Sequence, residues 1–120
     1  MATKIMLGVN DVEKSSAWFQ ELFAWQSNHG GPHFESLVDA DKKEMLLLHH
    51  LESTETNEPI GRGVTIYVNV PNVEHNFAKA QKLGAHIVAE PHFNELSHVL
   101  ECTFVDLNGY TFTMCQEKNG

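Results

Sequence analysis

The chain reads as an α+β protein built twice from one β-α-β-β-β unit, and three observations carry that reading. First, Val64, Ile66, Val68 and Val70 are apolar at every second position, with Thr65, Tyr67 and Asn69 between them. That is the period of a strand that buries one face. Second, Asn72 stands where a helix needs a cap, Val73, Phe77 and Ala80 follow at helical spacing, and Gly84 suits the helix end. Third, the same strand and helix occur once before. Val9, Val12, Glu13, Ala17, Gln20, Leu22 and Ala24 recur 61 residues later as Val70, Val73, Glu74, Ala78, Gln81, Leu83 and Ala85. Seven identities in the 18 positions from Val9 to Gln26 mark an internal duplication.

The elements follow in order. A first strand, Thr3 to Val9, turns Ile5, Leu7 and Val9 to one side and Lys4, Met6 and Gly8 to the other. Asp11 caps a helix whose apolar stripe is Val12, Phe19, Leu22 and Phe23, with Trp18 beside it at an edge or a subunit contact. A second strand begins at Ala24-Trp25 and ends before the turn signal Gly30-Gly31-Pro32. Strands at His33 to Val38 and Glu44 to His50, joined by a polar turn over 39–43, complete module one, 3–51. An acidic connector covers 52–62. Module two, 63–117, repeats the pattern: a strand at Val64 to Val70, a helix at Val73 to Leu83 and a strand at Ala85 to Ala89. Its last two strands, His98 to Val105 and Tyr110 to Gln116, flank the hairpin signal Asn108-Gly109. Val38-Asp39 recurs as Val105-Asp106, 67 residues on.

The bulk numbers exclude several classes. A chain of 120 residues is one ordinary domain, here 1–120. The formal charge of −8, with only eight Lys and Arg and no dense basic cluster, argues against nucleic acid and suits a cationic ligand weakly. The apolar run Ile5 to Val9 is too short for a signal peptide or a membrane span. Cys102 and Cys115 have no metal or disulfide spacing, so the expectation is a reduced, cytoplasmic chain with no membrane partner.

Several motifs together resemble the vicinal oxygen chelate superfamily: glyoxalases, bleomycin-resistance proteins, fosfomycin-resistance enzymes and extradiol dioxygenases. They are Val9-Asn-Asp-Val-Glu-Lys14 with Ala17-Trp-Phe19, Phe23-Ala-Trp25, Val70-Pro-Asn-Val73, Leu83-Gly84-Ala85, Glu90-Pro91 and Asp106-Leu-Asn-Gly-Tyr110. The resemblance implies a cupped, mostly antiparallel sheet with helices outside, enclosing a ligand cavity, and a homodimer. In metal-dependent members a His near each first-strand start and a Glu on each last strand bind a divalent cation. Counted in this chain, those positions hold Lys4, Thr65, Thr113 and Leu46. None is a usual ligand.

The pattern closest to this one is therefore the metal-free bleomycin-resistance branch. The expected function is sequestration of a small molecule with no cofactor, in a cleft lined by Lys4, Met6, Leu46, Leu48, His50, Thr65, Tyr67 and Thr113. That list assumes that Met45 and Leu47 pack on the helix while Leu46, Leu48 and His50 face the cleft. The seventh strand offers two faces, Val99-Glu101-Thr103-Val105 or His98-Leu100-Cys102-Phe104, and the pattern does not choose between them. The competing reading is a glyoxalase-like lyase or isomerase whose metal sits on displaced ligands among His33, His50, His98 and Glu101. A third is an interaction module with a vestigial pocket. Lys4 reads as a carboxylate anchor, a base or a plain salt-bridge residue, and Cys115 as a nucleophile or a packed thiol. Trp25 and Tyr67 are candidates for stacking on a flat ligand or for the core.

Overall fold

The computed structural model describes residues 1–51 and 61–117, and among them the chain forms eight strands and two helices. It divides into two compact units, Met1–Asn57 and Glu58–Gly120. Most of the expected connector, 52–60, lies outside the described residues.

In the first unit β1 (Met6–Val9), β2 (Gln26–His29), β3 (Phe34–Val38) and β4 (Glu44–His50) form a sheet in the order β1-β4-β3-β2, with β1 parallel to β4. Helix α1 (Val12–Phe23) starts where Asp11, in an extended conformation, accepts a hydrogen bond from the Lys14 N–H at 3.0 Å. Its apolar stripe lies on the sheet. Val12, Phe19 and Leu22 are at most 1% exposed, each worth about 2 kcal/mol of burial. Trp18 is buried and stands edge-on to Phe19, and Trp25 packs against Phe23 at 4.5 Å between ring centres. Both tryptophans are core residues of this unit. Beneath the helix, the buried Glu35 accepts from Ser16 Oγ at 2.8 Å and Ser27 Oγ at 2.9 Å, which identifies the helix-covered face of β3.

The second unit repeats the plan. Strands β5 (Thr65–Val70), β6 (His86–Asn94), β7 (Val99–Val105) and β8 (Thr111–Gln116) lie in the order β5-β8-β7-β6, with β5 parallel to β8. Helix α2 (Val73–Lys82) is capped by Asn72, whose side chain accepts from the His75 N–H at 3.0 Å. Gln116 Oε1 accepts from the Val73 N–H at 2.7 Å, tying the end of β8 to the first turn of α2. Ile66, Val68 and Val70 are buried with Phe104, Phe112 and Met114, and the rings of Phe104 and Phe112 stack at 5.4 Å.

The turns repeat as well. Asp39 Oδ1 accepts from the N–H groups of Asp41 and Lys43, and Asp106 Oδ1 from those of Asn108 and Tyr110. Burial raises the Asp106 carboxyl above its ordinary range, opposed by these donors.

Two differences from the expected elements have physical causes. Strand β6 runs to Asn94 rather than stopping at Ala89, because it is an edge strand whose register shifts between Ala89 and His92. An edge with an irregular ladder tolerates Pro91, which has no N–H to give. Strand β4 carries an irregularity of its own. Val38 pairs with Glu44 but Leu37 pairs with Leu46, so Met45 is an extra residue and the alternation reverses there. Beyond it Leu46 and Leu48 sit opposite Leu37 and Glu35, on the face that α1 covers.

Helix α1 ends at Ala24 with φ 57°, a left-handed conformation, where the corresponding end of α2 uses Gly84 at φ 80°. Alanine is strained there and glycine is not. Ala24 is exposed, so Ala24→Gly loses no packing. The variant is expected to be more stable by about 0.5–1 kcal/mol, read as a higher midpoint in urea with an unchanged slope.

Candidate functional site

Register decides which side chains face away from each helix. In the second unit Tyr67 pairs with Thr113, Asn69 with Cys115 and Thr65 with Thr111, while Ile66 and Val68 are buried on the helix side. Across β8, Thr113 pairs with Thr103 and Cys115 with Glu101. The face away from α2 is therefore Thr65, Tyr67, Asn69, Thr111, Thr113, Cys115, Glu101, Thr103 and Val105. This resolves the seventh strand: Glu101 and Thr103 face away from the helix, and Cys102 and Phe104 face it.

A cavity of about 810 Å³ opens on that face. Tyr67 and Asn69 of β5 form one side, Cys115 and Gln116 of β8 with Val99 and Glu101 of β7 lie across from them, and Asn94, Leu96 and Ser97 of the β6–β7 hairpin close an end. Glu101 is only 6% exposed. Its Oε1 accepts from Asn94 Nδ2 at 2.8 Å, and Cys115 Sγ stands 3.9 Å from its Oε2. The Asn94 amide is held at its other end too, because Oδ1 accepts from the N–H groups of Leu96 and Ser97 in the turn. That clamp orients Nδ2 toward the carboxylate.

The two thiols are poor nucleophiles in this setting. Burial, then the Glu101 carboxylate, raises the Cys115 thiol above the ordinary cysteine value. Burial, then the neighbouring Cys115, pushes Cys102 up to about 11. Thr103 Oγ1 and Thr113 Oγ1 are 2.8 Å apart and hydrogen-bonded to each other, with Thr113 3% exposed.

The expected site residues divide accordingly. Thr65 and Tyr67 lie on the face away from α2 and are exposed, and Tyr67 lines the cavity. Thr113 shares that face but is covered. In the first unit Met6 pairs with Leu47 on the face away from α1 and is 50% exposed. Lys4 Nζ forms an ion pair with Glu44 Oε1 at 2.8 Å, and Ser36 Oγ donates to Glu44 Oε2 at 2.6 Å. Leu46 and Leu48 do not face the cleft side. They are core residues at 2% and 0% exposure, placed under α1 by the extra residue Met45. His50 follows Leu48 by alternation and lies exposed at the strand end, edge-on to His33 at 6.5 Å. The unforeseen lining comes from Gln116 and Glu117 at the end of β8 and from Asn94, Leu96 and Ser97, and the signal for the latter three was the Asn94-to-Ser97 turn chemistry just before β7.

The same bulge corrects the count of family metal positions. Leu47 and Thr113 are equivalent, since they pair with Met6 and Tyr67, so the fourth position is Leu47 rather than Leu46. Lys4 is a cation already paired, Leu47 has no donor atom, Thr113 is engaged with Thr103, and Thr65 offers one hydroxyl. This set does not fit a divalent cation. Among the described residues no group of three or more His, Cys, Asp or Glu stands close enough to hold a metal ion.

Solved structures resemble the chain over nearly its whole length. A glyoxalase-related enzyme from Fulvimarina pelagi has a TM-score of 0.80 at 14% identity, over 98% of this chain and 88% of that one. A glyoxalase/bleomycin resistance protein/dioxygenase family enzyme from Burkholderia phytofirmans PsJN has 0.79 at 19%, over 94% and 95%. The chain has the vicinal oxygen chelate fold. The same fold holds the fosfomycin resistance protein FosX of Listeria monocytogenes, solved with manganese(II) and sulfate, at TM-score 0.76 and 14% identity over 98% and 90%. No protein-family model matches the chain, and neither does any curated protein sequence. Within the described residues no helix is long and apolar enough to cross a membrane.

Two measurements check these environments. At pH 8 alkylation of Cys115 by iodoacetamide, followed by mass spectrometry, is expected to be slower than that of a free cysteine and to accelerate in Glu101→Gln, because only the thiolate reacts. The hydrogen bonds from Lys4 and then Ser36 hold the Glu44 carboxyl below its ordinary range. Its stabilising effect is therefore complete above the ordinary carboxylate pKa and lost as pH falls through the depressed one. Carbon-detected NMR titration of Glu44 is expected to show the low midpoint, moving back up in Lys4→Met.

Proposed function

We propose that the chain is a small-molecule-binding protein that holds its ligand against the second sheet, on the face away from α2, without a metal. The cavity of about 810 Å³ carries the reading, since organic ligands occupy clefts of roughly 300–1,000 Å³. Its lining has the composition such sites use. Tyr67, Leu96 and Val99 supply apolar surface, while Asn69, Asn94 and Glu101 supply polar groups, two of them fixed by hydrogen bonds. Tyr67 is the ligand contact of the expected list, with Thr65 beside it and Thr113 beneath as a packed floor. Lys4 and Met6 enter the proposal as the corresponding face of the first sheet. The donor-poor residues Lys4, Leu47, Thr65 and Thr113 favour this reading over a metal-dependent one.

A thermal-shift screen of uncharged and charged aromatic compounds is expected to yield stabilising ligands, and Val99→Trp, which puts an indole into the cavity beside Glu101, to abolish the shift. Elemental analysis of protein purified without chelator is expected to find no stoichiometric metal. Tightly bound Zn, Ni, Mn or Fe at one per chain would overturn the metal-free part. The proposal includes a homodimer, which light scattering tests: a concentration-independent monomer mass would remove it.

A further inference from the structure

We infer that the ligand is an organic cation, a protonated amine or amidine whose N–H groups meet the Glu101 carboxylate while its apolar body lies against Tyr67 and Val99. The inference rests on the cavity being the ligand site. A carboxylate accepts about four hydrogen bonds, and Glu101 has one good donor, Asn94 Nδ2, plus a thiol at 3.9 Å. Among the described residues no cation pairs with it, although it is 6% exposed. Buried carboxylates are ordinarily paired. Among the described residues no Lys, Arg or His lines the cavity, and Glu117 adds a second carboxylate. An anionic ligand would therefore meet repulsion there, and a neutral one would leave acceptor capacity unused.

The duplication supplies an internal control. The pair Glu101–Cys115 on β7 and β8 corresponds in the first unit to Phe34–His49 on β3 and β4. The fold therefore builds the same sheet position without a carboxylate. Glu101 is thus specific to the second unit, where the cavity is. The chain's formal charge of −8 would draw the same class of ligand toward the surface.

Matched probes test this. Naphthylethylamine, naphthylethanol and naphthylacetate share one apolar body and differ in charge. Calorimetric titration is expected to rank the amine first, with at least about tenfold weaker binding of the other two. Glu101→Gln, isosteric and still able to meet Asn94, is expected to weaken the amine by at least about tenfold and leave the alcohol nearly unchanged. Asn69→Lys, an exposed substitution beside Cys115, keeps the test open if Glu101→Gln does not fold: it is expected to weaken the amine and strengthen the acetate. Equal binding of all three probes, or an amine affinity indifferent to both variants, overturns the cation inference while the site stands, provided Val99→Trp abolishes binding. Binding of no probe, or binding indifferent to Val99→Trp, overturns the site itself.

Discussion

The far face of the second sheet depends on one register, the parallel pairing of β5 with β8. Tyr67 opposite Thr113 places Thr113 and Cys115 on the side away from α2, and the antiparallel β7 then brings Glu101 and Thr103 to the same side. A slip of one residue would exchange these for Met114, Phe112, Cys102 and Phe104. Those four are buried at 0–1% exposure, so the slip would expose roughly 2 kcal/mol of apolar surface for each. The core therefore sets the polar face. Helix α2 adds a second lock through Gln116, which reaches the Val73 N–H from the end of β8.

Within that frame the chemistry of the cavity is a matter of burial without compensation. Glu101 is withdrawn from water, held by an amide that is itself held by a turn, and flanked by a thiol whose acidity the same burial suppresses. A nucleophilic role for Cys115 would need the opposite surroundings, a nearby cation to favour the thiolate. In the first unit, at positions not equivalent to Glu101, two carboxylates have partners: Glu44 has Lys4 and Ser36, and Glu35 has Ser16 and Ser27.

How far the amino-acid order could be read depended on whether a feature is local. The alternation of β5, the caps Asp11 and Asn72 and the duplication at Val9 to Gln26 each announce themselves within a few residues, and together they gave the α+β plan. The run Glu44 to His50 is apolar on both faces, so its alternation carries no direction. Choosing Leu46 and Leu48 as cleft residues required a register, and one extra residue at Met45 reversed it. Glu101 was ambiguous for a related reason: β7 carries apolar and polar groups on both sides, and only its pairing with β8 separates them. Trp18 and Trp25 were ambiguous because an aromatic at a helix flank fits a core or a contact equally until its neighbours are known.

The bulge at Met45 has a meaning for the history of the molecule. From β3 to the bulge the two copies keep step 67 residues apart, with Glu44 matching Thr111; beyond it they keep step 66 apart, with Leu47 matching Thr113. The bulge itself amounts to a single inserted or deleted codon within this strand, yet each copy retains its hydrophobic interior. Such a frame change leaves the shared scaffold intact while releasing the exterior side chains of one copy from those of the other. The chain thus carries one inheritance twice, with the exterior of each copy free to diverge over a common interior.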